Sequence, residues 1–218
     1  MQIPELYKIY LQFPSIQTDT REIKDADLFF ALKGPNFNGN QFARQAITAG
    51  AAYAIVDEEI NDSDENIIRV TDVLKTLQQL AQHHRRQFLL SNVNKQVPFI
   101  AITGSNGKTT SKELIHAVLS TAFKTYTTAG NLNNHIGIPL TILKIKPDAE
   151  IANIEMGANH QQEIEGYCVY KMTTHGIITN CGKATLEGIG GEEGFGECKG
   201  NYLDYLSLHE GTAFIMRD

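Results

Sequence analysis

A glycine-rich loop between an apolar run and an amphipathic segment constrains the fold more than any other feature of the sequence. The apolar run Phe99–Thr103 is typical of a strand buried in a parallel sheet. Gly104 and Gly107 let the backbone turn tightly, so that successive N–H groups can point inward. A helix predicted to start near Thr109 adds the positive end of its dipole. Strand, loop and helix together predict a phosphate-binding loop.

The loop has the short form GxxGKT, because Ile102 occupies the first glycine position of the longer GxxxxGK[ST] pattern. Lys108 can reach the β- and γ-phosphates of a nucleotide, and the Thr109 hydroxyl can join a magnesium shell. The alternative is a plain turn between a strand and a helix, with a surface lysine. The candidate residues for binding the nucleotide are Gly104, Ser105, Asn106, Gly107, Lys108, Thr109 and Thr110.

A glutamate at the end of a second apolar run is the candidate metal ligand. Glu155 closes the run IANIE and is followed by Met156 and Gly157. Ligands of open α/β sheets bind beyond the carboxyl ends of the strands, where both Glu155 and the loop would lie. We therefore expect Glu155 to hold Mg²⁺ beside the bound nucleotide. The alternative is a strand-end glutamate in an ordinary salt bridge.

Strand and helix patterns alternate in both halves of the chain, which predicts right-handed βαβ crossovers and mainly parallel sheets. A long amphipathic helix is predicted after Thr71 or Asp72, one of which would cap it. The polar stretch SNVNKQ follows this helix and precedes Pro98. We therefore predict an α/β chain with a small N-terminal domain, residues 1–95, and a mainly parallel-sheet ATP-binding domain, residues 96–218.

Composition excludes several classes of protein. The net charge of −6 argues against a nucleic-acid binder held by phosphate contacts. The three cysteines form no CxxC pair, and no apolar run approaches the ~18 residues of a membrane span. The N-terminus lacks the pattern of a signal peptide, so a cytoplasmic location is expected. A monomer is expected as well. The basic run 83–86 is interpreted as the solvated end of a helix.

Four motifs in order resemble the Mur ligases, the ATP-dependent amide ligases of peptidoglycan synthesis. They read TGSNGKTT, GNLNNHIGIPLT, IEMGANHQQEI and THGIITNCGKA. The earlier stretch TDTREIKDADLFFALKGPNFNGNQFA looks like the uridine-nucleotide-binding domain of that family. The resemblance runs from about residue 15 to the end of the chain.

The resemblance implies a substrate pair and a mechanism. ATP would phosphorylate the terminal carboxylate of UDP-N-acetylmuramoyl-tripeptide, and the amine of D-Ala-D-Ala would attack the resulting acyl phosphate. Lys108 would neutralise the migrating phosphoryl group, while Thr109 and Glu155 would hold Mg²⁺. Little covalent chemistry falls to the protein, which positions the reactants and stabilises charge.

The resemblance also implies residues on the substrate side. Asn131 and Asn134 would shape the cleft in a turn rich in glycine and asparagine. The candidates for the UDP-sugar pocket are Thr20, Arg21, Asn38 and Gly39. The alternative for these four is an ordinary turn with an ion pair.

The chain departs from the family pattern at three points. Thr185 stands where the family has a histidine near the second metal. Lys199 occupies the place of the lysine that forms a carbamate and serves as a catalytic metal ligand, but Asn201 replaces the neighbouring glutamate. The further part of the central domain and the third domain are not in the sequence, so we expect a truncated form that does not complete ligation.

Other functions fit less well. A module that binds a nucleotide or a UDP-sugar without ligase activity is the main alternative. A GTPase-like switch would need an N/TKxD signal, which the chain lacks. Folate-polyglutamating ligases share the phosphate loop but would not need the segment DLFFALKG.

Overall fold

The chain folds into two compact units, residues 1–84 and 85–218. The computed structural model describes residues 1–60, 64–93, 95, 97–157, 173–180 and 202–215. Both units are mixed α/β structures built on parallel sheets, which confirms the predicted fold class. The domain boundary proposed after residue 95 stays a prediction.

The first unit is a four-stranded parallel sheet with strand order β1-β2-β5-β6. Strands β3 and β4 form a separate antiparallel hairpin. Two short 3₁₀ turns, Thr20–Glu22 and Gly39–Phe42, complete the unit. Its helices and strands are α1 (Ile3–Gln12), β1 (Ile16–Gln17), β2 (Leu28–Phe30), β3 (Lys33–Gly34), β4 (Phe37–Asn38), α2 (Ala43–Thr48), β5 (Tyr53–Val56) and β6 (Ile67–Arg69).

Small side chains let α2 pack closely on this sheet. Two alanines of α2, Ala43 and Ala46, are fully buried against Phe29 of β2 and Ala54 of β5. Such close-packed apolar contacts are the main stabilising term of a small unit. The candidate substrate residues Asn38 and Gly39 lie directly before α2 in the chain.

The long helix α3 (Val73–Ser91) confirms the amphipathic segment predicted there. The Lys75 N–H donates to the side chain of Asp72 at 2.8 Å, so Asp72 caps the helix as one of the two predicted candidates. The buried apolar residues of this helix are Val73, Leu77, Leu80, Ala81 and Phe88.

The interpretation of residues 83–86 as a solvated helix end is wrong. The helix continues to Ser91, His84 is buried, and only 1% of Arg85 is exposed. The guanidinium carbon of Arg85 lies 3.3 Å from the centroid of the Phe99 ring. Burial lowers the pKa of Arg85 to about 9. The aromatic face replaces water around this cation, an arrangement that a charge run in the sequence does not reveal.

The second unit is a five-stranded sheet in which every pair of strands is parallel, with order β11-β10-β7-β9-β8. The chain crosses from one side of β7 to the other between β9 and β10, so the loop strand lies at a topological switch point. The helix predicted between β9 and β10 lies outside the described residues. The elements are β7 (Phe99–Thr103), α4 (Lys108–Leu119), β8 (Thr125–Thr127), α5 (Gly137–Leu143), β9 (Ile151–Glu155), β10 (His175–Ile178), α6 (202–208) and β11 (Thr212–Ile215).

The buried side of α4 does not coincide with its apolar stripe. Leu114 and Val118, two of its apolar residues, are largely exposed, whereas Lys112 is fully buried. The sheet therefore receives a charged side chain from this helix. In the described part of the chain, no helix has the length and apolar character needed to cross a membrane.

Candidate active site

The glycine loop between β7 and α4 requires its two glycines. Gly104 has φ +146° and Gly107 has φ +78°, both in the region that L side chains rarely adopt. A Cβ on Gly104 would overlap the Thr179 hydroxyl oxygen, whereas a Cβ on Gly107 would meet nothing within 4 Å. Gly107 is also the residue before the first turn of α4. Gly104 is thus needed because Thr179 lies close to the loop, and Gly107 because the chain turns into α4 there.

Two residues after β10 fasten the loop from the neighbouring strand. The Asn106 N–H donates to the Asn180 side-chain oxygen at 3.0 Å, and the Thr179 hydroxyl donates to the Asn106 carbonyl at 2.7 Å. Ser105 N–H also reaches the Asn180 carbonyl at 3.4 Å. Thr179 and Asn180 were not among the residues predicted for the site. Their position after an apolar run was the available signal, because parallel strands end at the same edge of a sheet.

Lys108 folds back over the loop. Its ammonium donates to the carbonyl oxygens of Gly104 at 2.7 Å and Ser105 at 3.2 Å. Burial lowers the pKa of Lys108, and the negative charge of Glu155 acts in the opposite direction. The Lys108 ammonium is therefore held against the loop, close to the N-terminus of α4. The charge of the lysine and the dipole of the helix both favour an anion there.

Glu155 lies beside Thr109, as predicted. Only 1% of Glu155 is exposed, and its Oε1 accepts hydrogen bonds from the Thr109 hydroxyl at 3.1 Å and the Asn133 amide at 2.7 Å. The Glu155 N–H donates to the Thr128 hydroxyl at 3.0 Å. The strand-end carboxylate and the loop hydroxyl are thus brought into direct contact.

The second carboxylate oxygen of Glu155 suits a metal ion. Oε2 is buried and has no hydrogen-bond partner. Mg²⁺ prefers hard oxygen ligands and is held in nucleotide sites by one or two protein oxygens, with phosphates and waters completing its shell. Glu155 Oε2 and the Thr109 hydroxyl fit this requirement. In the residues that the structure describes, no group of three or more His, Cys, Asp or Glu side chains is placed to hold a metal.

Lys112 is a charged residue of this site that the sequence analysis missed. Its side chain is 0% exposed, and its ammonium donates to the carbonyl oxygens of Thr128 and Gly130, both at 2.8 Å. The ammonium also lies 3.8 Å from Glu155 Oε2. The signal in the sequence was the spacing of four residues from Lys108, which places both lysines on one side of α4.

The two asparagines predicted on the substrate side have different local roles. The Asn134 side-chain oxygen accepts from the N–H groups of Ile136 at 3.1 Å and Gly137 at 2.8 Å, so it orders the turn that leads into α5. Asn131 is exposed, and its carbonyl accepts from the Asn133 N–H at 2.7 Å. The substrate role of both residues stays a prediction. Thr185, Lys199 and Asn201 lie outside the described residues.

Arg21 in the first unit forms an ion pair within its own turn. Its side chain donates to both carboxylate oxygens of Asp19, and its N–H also donates to Asp19 at 2.9 Å. Thr20 opens the same 3₁₀ turn. The turn and ion pair of the alternative interpretation are therefore present, and the proposed role of Thr20 and Arg21 in binding a UDP-sugar stays a prediction.

This ion pair predicts an unusual titration. The hydrogen bonds from Arg21 lower the pKa of Asp19 to about 2. We expect Arg21→Ala to raise that pKa towards the ordinary aspartate range, because the guanidinium donors are removed while the bond from the N–H of residue 21 remains. The pair stabilises the fold above the ordinary aspartate pKa, and that contribution is lost as the pH falls towards 2. A carboxyl-detected NMR titration of both proteins measures the difference. An unchanged Asp19 pKa in the variant would contradict the assignment.

Asn38 and Gly39 lie in a polar network at the end of the β3–β4 hairpin. The Asn38 amide donates to both carboxylate oxygens of Glu58, at 3.1 and 3.0 Å. The Lys33 ammonium pairs with Asp57 at 2.8 Å and Glu58 at 3.1 Å. A Cβ on Gly39 would come within 2.5 Å of the Leu32 carbonyl, so glycine is needed there for close approach. The pocket role of these two residues also stays a prediction.

The glycine loop lies at the switch point of a parallel sheet, with a lysine over the loop and an acid at the next strand end. This arrangement is typical of phosphate-loop nucleotide-binding proteins. Family comparison is more specific. The model for the Mur ligase middle domain matches residues 102–218, and the model for the catalytic domain of the Mur ligase family matches residues 12–85. The chain belongs to the Mur ligase family.

Two similar proteins from different bacteria have the same name. UDP-N-acetylmuramoyl-tripeptide--D-alanyl-D-alanine ligase of Bacillus subtilis is 41% identical over 93% of this chain and 43% of its own length. The Escherichia coli protein of that name is 38% identical over 98% of this chain and 45% of its own length. The chain thus spans less than half the length of these relatives.

Solved structures of Mur ligases are also similar to this chain. MurF of Acinetobacter baumannii superposes with a TM-score of 0.81 at 34% identity, covering 94% of this chain and 43% of that protein. MurF ligase of Thermotoga maritima, solved in complex with ADP, has a TM-score of 0.81 at 29% identity and covers 95% of this chain and 47% of that protein.

Proposed function

We propose that this chain supplies the UDP-substrate and ATP sites of a ligase of peptidoglycan synthesis that adds D-Ala-D-Ala to UDP-N-acetylmuramoyl-tripeptide. The observation that carries the proposal is the contact of Thr109 with Glu155 beneath a loop closed by Lys108, in a chain of this family. The proposed reaction belongs to cell wall biogenesis, and so to cell shape and cell division. Its use of ATP and a UDP-linked precursor places it in the cytoplasm.

The proposed chemistry has two steps. A carboxylate oxygen of the tripeptide attacks the γ-phosphorus of ATP, the bond to the bridging oxygen breaks, and ADP leaves. The amine of D-Ala-D-Ala then attacks the carbonyl carbon of the acyl phosphate, loses a proton and expels inorganic phosphate. Lys108 and the N–H groups of residues 104–110 stabilise the charge on the phosphoryl oxygens. Bound Mg²⁺, held by Thr109 and Glu155, would neutralise further phosphate charge.

The assignment of parts follows the family. Residues 1–95 are proposed as the UDP-sugar-binding domain, with Thr20, Arg21, Asn38 and Gly39 at the ligand. Residues 96–218 are proposed as the ATP-binding domain, with Asn131 and Asn134 on the substrate side and Lys199 as a further metal ligand.

Replacing Lys108 tests the nucleotide site. We expect Lys108→Ala to weaken Mg-ATP binding ~10-fold or more, since a charge-assisted contact worth roughly 1.5–3 kcal/mol is lost. Isothermal titration calorimetry measures the affinity. Lys124→Ala is the control, because Lys124 is an exposed lysine after the same helix. Equal affinities of the unaltered protein and Lys108→Ala would contradict the site.

The same variant tests the phosphoryl transfer. Hydroxylamine converts an acyl phosphate to a hydroxamate, which mass spectrometry detects without any need for D-Ala-D-Ala. With ATP, magnesium and UDP-N-acetylmuramoyl-tripeptide we expect hydroxamate from the unaltered chain and none from Lys108→Ala. ATP binding without hydroxamate would instead support a nucleotide-binding module that lacks ligase activity.

A further inference from the structure

Lys112 places a fixed positive charge beside the carboxylate oxygen assigned to the metal. The side chain is 0% exposed, and the ammonium lies 3.8 Å from Glu155 Oε2. Its bonds to the carbonyls of Thr128 and Gly130 hold it in that position. Turning the ammonium into solvent would break both of these bonds.

Neighbouring contacts also hold Lys112 against β9, the strand that ends at Glu155. The Lys112 carbonyl accepts from the Asn153 amide at 3.0 Å, and Asn153 lies two residues before Glu155 on β9. Thr128 accepts from the Glu155 N–H through its hydroxyl and from the Lys112 ammonium through its carbonyl. The distance between the ammonium and the carboxylate is therefore set by the fold on both sides.

The charges around Glu155 disfavour the binding of a cation without its nucleotide. The Lys108 ammonium, bonded to the carbonyls of the neighbouring glycine loop, also feels the charge of Glu155, so two ammonium charges act on one carboxylate. Glu113 approaches Lys112 at 2.9 Å, but its side chain is 56% exposed and water screens its charge. A divalent ion that arrives alone at Oε2 would thus meet net repulsion, because like charges a few ångströms apart repel strongly in a partly dry site.

We propose that Lys112 closes the metal position to a bare divalent cation, so that the metal enters only together with the phosphates of the nucleotide. ATP brings several negative charges and oxygen ligands, which offset both lysines and complete the shell of Mg²⁺. Lys112 is a positioning residue in this scheme and does not contact the reacting atoms. The inference rests on the proposed function only in assigning the metal to Glu155.

The test uses Mn²⁺ alone, titrated into the 218-residue chain without nucleotide and followed by electron paramagnetic resonance. We expect the unaltered protein to bind Mn²⁺ no more tightly than the millimolar range. Lys112→Met removes the charge and keeps an unbranched side chain shorter by a single heavy atom, and should bind Mn²⁺ at least ~10-fold more tightly. Adding Glu155→Gln to Lys112→Met should remove that gain.

A matched control separates this effect from a general change in charge. Lys124 lies 3.8 Å from Asp148, the same distance as the buried pair, but both side chains are exposed. Lys124→Met should leave Mn²⁺ binding unchanged. Circular dichroism verifies that each variant folds, and Lys112→Gln serves as a second neutral variant that retains a hydrogen-bond donor.

The outcomes are distinct. Folded Lys112 variants that bind Mn²⁺ no more tightly than the unaltered chain overturn the proposal. Micromolar binding of Mn²⁺ by the unaltered chain also overturns it, and this measurement decides the matter if neither variant folds. ATP is absent from all of these measurements. A failed Lys108→Ala test would therefore contradict the proposed function without affecting the conclusion on Mn²⁺ binding.

Discussion

Gly104→Ala is expected to weaken ATP binding by ~100-fold or more and to lower the free energy of unfolding by about 2–5 kcal/mol. The added Cβ would overlap the Thr179 hydroxyl, and the φ of +146° is strained for alanine. Relief of the overlap must move the loop away from β10, where Thr179 and Asn180 fasten it. Several loop N–H groups would then no longer point at the phosphates. Each charge-assisted hydrogen bond lost in this way weakens the binding of ATP.

Gly107→Ala is the matched control within the same loop. Gly107 also has a positive φ, +78°, but a Cβ there meets nothing within 4 Å. Its cost is the strain of the backbone alone, about 1–2 kcal/mol. Calorimetry with ATP and thermal unfolding followed by circular dichroism measure both variants; the chain has no Trp for fluorescence. An equal loss in the two variants would show that backbone strain, and not contact with Thr179, shapes the loop.

Local patterns were enough to predict the framework of this site. The apolar run Phe99–Thr103 forms a strand with the predicted bounds, and Glu155 ends β9 beside the loop. Both predictions depend on short-range rules: an unbroken apolar run marks a buried parallel strand, and the ends of such strands share one edge. The cap of α3 at Asp72 followed from the same kind of local rule.

Long-range contacts escaped the sequence analysis for a physical reason. Arg85 looked like a solvated charge, yet it packs on Phe99, a ring on the strand that follows its helix. Lys112 looked like one polar position on an amphipathic helix, yet it is buried against carbonyls of residues 128 and 130. A charged residue is buried only when partners distant in sequence satisfy it, and periodicity does not contain those partners.

The buried pair of Lys112 and Glu155 gives the largest expected effect on stability. Glu155→Ala should lower the free energy of unfolding by about 3–5 kcal/mol, because it removes the buried carboxylate beside Lys112 and, among the described residues, leaves only the largely exposed Glu113 close to that charge. The loss includes the acceptor of the Thr109 and Asn133 hydrogen bonds. Chemical denaturation followed by circular dichroism measures the change, with m compared between proteins to check that the folded states match.

The exposed pair of Lys124 and Asp148 separates burial from distance in this measurement. Its nitrogen–oxygen distance is also 3.8 Å, but the two side chains are 62% and 56% exposed. Asp148→Ala should therefore cost no more than about 1 kcal/mol. A double variant that combines Glu155→Gln with Lys112→Met should recover part of the loss seen when either charge is removed alone, since neither charge is then left without its partner. If the double variant instead shows the sum of the two single losses, Lys112 and Glu155 are not energetically coupled. The ammonium then stabilises the fold through the carbonyls of Thr128 and Gly130 and its contact with Glu113.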